Sequence, residues 1–238
     1  NRAEKVICIS HQVKNHFQNI ITNNNKLKKI YYGFNFDDFN FSKNYKQKIQ
    51  LFKKRFSIRK KDFILCNIAR HVNQKSLDVL IQAFSKYSKR NKNAKLILIG
   101  KGPETFNLKK LSKELNVSKQ IIWISEYENI RDIISISNLF ILTSKYEGLG
   151  LVLLEAMAEK KPILASKISA IPEIVKNNYN GILVNHGDIK NFANKIEIFE
   201  NSKKSIKFGK NGYNFLKKNF DLDKMYEETK KIYLSKND

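Results

Sequence analysis

Cysteine is scarce in this chain. Cys8 and Cys66 are the two among 238 residues, they lie far apart, and each sits inside an apolar, strand-like stretch. A disulfide framework or a thiolate zinc site therefore has no support. No apolar run reaches the roughly 18 residues that a membrane-spanning helix needs, which excludes a helical transmembrane protein. No internal repeat is found, and no charged-then-apolar signal pattern precedes the strand-like Lys5-Val6-Ile7-Cys8-Ile9. The chain starts at Asn1 rather than Met, directly in front of that strand, so it reads as a cut piece whose upstream residues belong to the same folded body. The expected compartment is the cytoplasm.

Arginine and acidic residues are also in short supply. The chain has 45 Lys and Arg against 22 Asp and Glu, a formal net charge of +23. Such an excess suggests nucleic acid as a partner, but its make-up argues otherwise: 39 Lys and 6 Arg accompany 28 Asn and 30 Ile, the bias of an AT-rich genome filling tolerant positions. The excess is concentrated at the front, where residues 1–61 carry 15 basic and 3 acidic side chains.

What is present is alternation. A strand is expected over Val6–Ser10, a helix over His11–Ile21 ended by the Thr22–Asn25 cluster, and a short strand over Lys29–Tyr32. A connector over Asn35–Asn44 leads to an amphipathic helix carrying Tyr45, Ile49, Phe52 and Phe56 against a lysine-rich face. From Asp62 onward, apolar strands (Phe63–Ile68, Lys95–Ile99, Ile121–Ile124, Leu139–Leu142, Pro162–Ala165, Gly181–Val184) alternate with helices (Leu77–Tyr87, Thr105–Leu115, Ile130–Ser137, Gly150–Lys160, a short one near Pro172–Lys176, Ile189–Glu200). Lys204–Lys218 and Leu222–Tyr233 read as closing helices. The pattern predicts an α/β fold: a Rossmann-like, doubly wound parallel sheet covered on both faces, with ligands bound outside the carboxyl ends of the strands.

Candidate site residues follow the strand ends. Arg70 and Lys75, on the loop after the first strand of the sheet, outline a clamp for phosphate oxygens. Gly100 and Gly102, in Gly-Lys-Gly-Pro-Glu, allow a tight turn and close backbone approach. The sharpest stretch is Glu147-Gly148-Leu149-Gly150-Leu151, leading into an apolar helix that holds Glu155. Free amides and the helix dipole at that N-terminus favour an anion. A carboxylate at Glu155 needs hydrogen-bond donors, for which vicinal sugar hydroxyls are suited. The alternative is that Glu155 and Glu159 form a thin solvent-facing stripe.

Glu147 to Glu155 resembles the E-x7-E motif of the retaining glycosyltransferases of family 4, which have the GT-B fold. Arg70 and Lys75 resemble that family's phosphate-binding pair, Ile99 to Glu104 its Gly-x-Gly-Pro-Glu turn, and Ala165 to Val175 its segment ending in Ile-Pro-Glu. The resemblance implies a nucleotide-diphosphate-sugar donor and transfer to an acceptor hydroxyl, on a glycan or lipid-linked glycan, with retention and without a metal or other cofactor. Arg70, Lys75 and Glu147 are the implied catalytic residues. Gly100, Gly102, the base-side Ser125, Glu126 and Tyr127, the amides of Gly148, Leu149, Gly150 and Leu151, and the ribose-binding Glu155 would hold the donor. It implies three parts: residues 1–40, a remnant of an N-terminal acceptor-side domain with its linker; residues 41–215, the donor-binding domain; and residues 216–238, a helix packing back on the absent N-terminal domain. An exposed apolar surface near Ile7, Phe17 and Tyr226 is then expected. Ala69, Ser76, Ser125 and Ser169-Ala170 stand where the family usually has glycine.

Two other readings compete. One is a basic binding module. The cations are mostly Lys and are not interleaved with aromatics for base stacking, so nucleic acid is not the expected partner. The Tyr45–Phe56 helix has faces suited to peripheral contact with the inner face of a membrane, or it docks on the donor domain as a linker helix. The other reading is a nucleotide-sugar-binding half of a split or interrupted enzyme, or one that epimerises its ligand.

Overall fold

The computed structural model describes residues 3–21 and 23–234; Asn1, Arg2, Thr22 and the last four residues lie outside the described residues. Six parallel strands form the main sheet: β3 (Phe63–Ile68), β4 (Ala94–Ile99), β5 (Ile121–Ile124), β6 (Leu139–Leu142), β7 (Ile163–Ser166) and β8 (Gly181–Val184). Their spatial order is β5-β4-β3-β6-β7-β8. The order reverses between β3 and β6, which makes the rim above those two strands the topological switch point.

Side-chain parity along these strands builds two cores. Cys66, Ile97, Ile99, Phe140, Leu142 and Ile163 face α2 (Tyr45–Arg55), α5 (Ile130–Ile136), α6 (Leu151–Ala158), the short α7 (Ile171–Ile174) and α9 (Ser202–Asn219). Leu65, Leu96, Leu98, Leu139, Ile141 and Leu164 face α3 (Leu77–Ser88), α4 (Thr105–Glu114) and α8 (Ile189–Ile198). Because both faces are buried, the strands read as near-continuous apolar runs. α3 places Leu77, Leu80, Ile81 and Phe84 on one buried stripe, the i, i+3, i+4, i+7 spacing of a core-facing helix.

The N-terminal segment forms a separate two-stranded parallel sheet, β1 (Val6–Cys8) with β2 (Leu27–Lys29), joined by α1 (His11–Gln18). The strands differ from the sequence expectation. β1 stops at Cys8 because Ser10 turns out to cap α1, its hydroxyl accepting from Val13 N. β2 lies two residues early because Tyr31 leaves the sheet to reach Glu173, its hydroxyl donating at 2.8 Å. α6 is shorter than expected at both ends, since Gly150 (φ 87°) and Lys160 (φ 53°) are left-handed and stop the helix.

The linker from Gly33 crosses to the last helix, α10 (Leu222–Leu234). Phe34 N donates to Phe220 O at 2.7 Å, and a Cβ on Gly33 would come within 2.6 Å of Leu222 Cα. Ile7, Phe17 and Tyr226, the residues expected to be exposed, are each exposed, as is Ile20.

Candidate functional site

The loops after β3 and β6 meet at the switch point. Lys75, at the end of the 3-10 turn Asn73–Lys75, places Nζ 2.7 Å from Glu147 Oε1, and Ser144 Oγ donates to the same oxygen at 2.7 Å. Glu147 is 7% exposed, so its charge is held by these two donors rather than by water. The loops are laced further by Gln74 Nε2 to Tyr146 O, 2.8 Å, and Thr143 Oγ1 to Ser76 O, 2.9 Å. Arg70 stands exposed on the same rim.

Past Glu147 the chain reaches Gly148 and the buried Leu149, and Gly150 turns it left-handed into α6, where Leu151 is exposed. Glu155 lies on the second turn of α6. Its carboxylate has no hydrogen-bond partner among the described residues, and burial pushes it up to about 7. It lines a cavity of about 540 Å³ together with Tyr32, Gly33, Asn35, Asp38 and Met225. Glu159 is not its solvent-facing companion: Arg131 Nε donates to Glu159 at 2.7 Å, and that carboxylate is largely covered. The solvent-stripe reading of the pair is therefore excluded.

The glycines divide into two groups. A Cβ on Gly100 (φ 133°) would fall 2.0 Å from Ala69 O, and one on Gly102 2.4 Å from His71 O. Both are required by the neighbouring β3 loop, whatever binds there. At Gly148 a Cβ would meet only Ile9 at 3.6 Å and Val13 at 3.9 Å, ordinary contacts. Packing leaves that position free to be larger.

The rim continues toward β5. His71 N donates to Lys101 O and Gly100 N to Ile124 O, which brings the loops after β3, β4 and β5 edge to edge. Ser125 and Glu126 are exposed, Glu126 is ion-paired to Lys101, and Tyr127 packs against Phe52 of α2, ring centroids 6.0 Å apart. The sequence-derived site residues thus lie along the carboxyl-end rim of β5, β4, β3 and β6, except Glu155, which faces the cavity beside Tyr32 and Met225. Ser76 (φ 45°) and Ser169 (φ 44°) keep a left-handed backbone with side chains present, so these two glycine replacements leave the local path in the conformation that glycine favours.

His71, beside the Arg70–Lys75 loop, is a packing residue: it is 1% exposed, its Nδ1 lies 2.8 Å from Thr105 Oγ1, and burial together with Lys109 holds it below its ordinary value. Two features escaped the sequence reading. Glu173, the acid of Ile-Pro-Glu, accepts from His11 N and Gln12 N, both at 2.8 Å, as well as from Tyr31. Ser10 Oγ donates to Gly148 O at 2.7 Å. The motif pattern points to Glu173 as notable, but nothing local names partners 162 residues away.

α2 docks rather than floats. Ile49 and Phe52 are buried in the core, and Tyr45 bonds Ser135 of α5 at 2.8 Å. The apolar face that a membrane contact needs is thereby covered. Among the described residues no helix is long and apolar enough to cross a membrane, and no group of three or more His, Cys, Asp or Glu is placed to hold a metal ion.

Residues 48–215 match the protein family described as Glycosyl transferases group 1. The chain is 27% identical over 98% of its length to N-acetyl-alpha-D-glucosaminyl L-malate synthase of Bacillus anthracis, covering 60% of that protein. It is also 27% identical, over 97% of its length, to the capsular polysaccharide biosynthesis glycosyltransferase CapM of Staphylococcus aureus, covering 61%. The crystal structure of Anabaena Alr3699/HepE in complex with UDP-glucose superposes with a TM-score of 0.89 at 22% identity, over 99% of this chain and 65% of that one. The parallel sheet and its helices are those of GT-B, Rossmann-like glycosyltransferases. The chain spans about 60% of the length of the curated relatives.

Proposed function

The chain belongs to the Glycosyl transferases group 1 family, and on that premise we propose that it is the donor-binding half of a retaining, family 4-like hexosyltransferase that takes a nucleotide-diphosphate-sugar. The observation that carries this reading is the convergence of Lys75 and Glu147, 2.7 Å apart, at the switch point between β3 and β6. The loops after adjacent strands deliver a cation and a carboxylate to the place where open α/β sheets bind ligands.

In this reading Arg70, Lys75 and the amides of Gly148 to Leu151 meet the charge that develops on the leaving diphosphate, which is electrostatic stabilisation of the transition state. No metal is needed for that role. Glu147 accepts from hydroxyls of the transferred sugar. With one oxygen already taking bonds from Lys75 and Ser144, it is a poor nucleophile and a good positioning group. Glu155, unpartnered and facing a cavity, suits two vicinal ribose hydroxyls, whose donation compensates its burial. Gly100, Gly102 and Ser125 to Tyr127 frame the base, the glycines indirectly through the packing of their loop.

The acceptor, a glycan or lipid-linked glycan, belongs with the N-terminal domain of which residues 1–40 are the last remnant. Relatives longer than this chain, one of them a capsular polysaccharide glycosyltransferase, and the exposed Ile7, Phe17 and Tyr226 support an N-terminal domain as partner, with 216–238 packing back on it. Nucleic acid has no part in this reading.

The test is calorimetric titration of the chain with UDP-, GDP- and ADP-sugars at physiological salt, repeated with Glu155→Ala. Selective binding of one nucleotide, lost in the variant, is expected. Equal weak binding of every anion, indifferent to the substitution and abolished by salt, would reject the reading.

A further inference from the structure

We propose that Ser10 is a positioning residue for the donor: it sets the direction of the Leu149 amide from outside the donor-binding sheet. The proposal rests on the reading that amides of Gly148 to Leu151 take the donor's diphosphate or sugar.

The Ser10 side chain is fully buried, and its single hydroxyl proton has one destination. Its oxygen accepts from Val13 N at 3.1 Å, as the cap of α1. Its proton goes to Gly148 O at 2.7 Å, across 138 residues of sequence. No peptide bond among the described residues is cis, and in a trans peptide the carbonyl and the following N–H point in opposite directions. Fixing Gly148 O toward α1 therefore turns Leu149 N–H away from α1, where it meets no acceptor among the described residues. The buried Leu149 side chain, 2% exposed, keeps the residue from rotating as a whole. The far side of the loop is held by Ala170 N, which donates to Glu147 O at 3.4 Å.

The hydroxyl works only if α1 stays in place, and α1 is secured independently. Glu173 takes the first two amides of the helix, His11 N and Gln12 N, at 2.8 Å each. Ile9 and Val13 stand beside the same peptide, 3.6 and 3.9 Å from where a Cβ on Gly148 would lie. A segment of the acceptor-side half thereby holds one peptide of the donor loop in a set orientation before any donor arrives, which removes part of the ordering cost of binding.

The experiment compares wild type, Ser10→Ala and Ser10→Thr by titrating each with the preferred nucleotide-sugar and with the corresponding nucleoside, which carries no phosphate. The expected result is a nucleotide-sugar Kd about five- to tenfold weaker in Ser10→Ala, restored in Ser10→Thr, with nucleoside affinity unchanged throughout. Equal nucleotide-sugar affinity in Ser10→Ala, or an equal loss for nucleoside and nucleotide-sugar, would overturn the proposal; the second pattern would mean a general loosening. A wild type that binds no nucleotide-sugar rejects the donor reading itself, a result distinct from either. A measurement free of ligand is the carbonyl carbon shift of Gly148 by NMR. It should move in Ser10→Ala and return in Ser10→Thr; an unmoved shift counts against Ser10.

Discussion

Glu173 and Tyr31 join helix α7 to the segment after β2: the Tyr31 hydroxyl donates to Glu173 Oε2 at 2.8 Å, the oxygen that also accepts from His11 N. Burial first, and the hydrogen bond to Glu173 second, hold the Tyr31 phenol above its ordinary value, so the donor in this bond does not ionise. Lys29 Nζ lies 3.8 Å from the Tyr31 ring centroid and adds a cation–π contact. One carboxylate thus ties α1 and the segment after β2 to α7.

That arrangement makes Glu173→Ala a local lesion. It removes the acceptor for three donors while leaving the six-stranded core untouched. Hydrogen exchange at His11 and Gln12 should accelerate roughly tenfold to a hundredfold, with exchange in β3 and β6 unchanged. Unchanged exchange at His11 and Gln12 would mean that α1 is held by its apolar contacts instead.

Glu155 should make both stability and donor binding depend on pH. Its carboxyl is raised from an ordinary 4.5 to about 7, so the folded chain binds more protons than the unfolded chain between those values. The stabilisation from its protonated form is complete below about pH 4.5 and is lost as pH rises through 7. Glu155→Gln, which keeps the neutral shape, is therefore expected to raise stability at pH 8 by about 1–2 kcal/mol, with allowance for partial exposure, and to flatten the profile from pH 5 to 7. Denaturant unfolding across pH measures this. Donation from ribose hydroxyls favours the ionised form, so nucleotide binding at pH 6.5 should release a proton. Calorimetry in two buffers of different ionisation enthalpy would detect that release, and a null result would place Glu155 away from the nucleotide.

The Lys75–Glu147 pair should be asymmetric to removal. Lys75→Met leaves a carboxylate that is 7% exposed with Ser144 alone, and is expected to cost about 2–3 kcal/mol. Glu147→Gln keeps an oxygen for both donors and should cost about 1 kcal/mol. The double variant should regain part of the loss, a coupling of about 1–2 kcal/mol in a denaturant double-mutant cycle. Additive effects would show that the two charges do not depend on each other.

Legibility from sequence tracked the range of the determining interaction. β3, β5, β6 and β8 begin and end as expected; β5, β6 and β8 are apolar runs bounded by polar residues, and β3 starts sharply after Asp62, a property of adjacent positions. β2 was displaced by two because Ile30 to Tyr32 look as strand-like as Leu27 to Lys29, and the choice is made by Glu173, far off in sequence. At the site the order of motifs was readable, and Lys75 does meet Glu147. The reason for Gly100 and Gly102 was not, since the atoms that demand them are Ala69 O and His71 O. Ser10 was read as the end of a strand, whereas it caps α1, and its second bond, to Gly148 O, joins two segments whose neighbourhood only the fold creates.

Two backbone positions allow that distinction between local and imposed conformation to be measured. Ser169 sits at φ 44° with no side-chain hydrogen bond among the described residues, in a region that glycine enters without steric cost. Ser169→Gly relieves that cost and adds freedom to the unfolded chain, and the balance favours stabilisation by up to about 1 kcal/mol. Gly100 is the reverse case: at φ 133° an added Cβ would lie 2.0 Å from the backbone oxygen of Ala69, the residue just after β3, whose amide is held by Ile99 O. Gly100→Ala should cost about 3 kcal/mol or more, the range of strained backbone and overpacked cores, read as a fall in denaturant midpoint. Because that clash is with Ala69, one residue before Arg70, the variant should also displace the clamp loop and weaken nucleotide-sugar binding. A Gly100→Ala protein with wild-type stability would show that the β3 and β4 loops are not packed as closely as these atoms require.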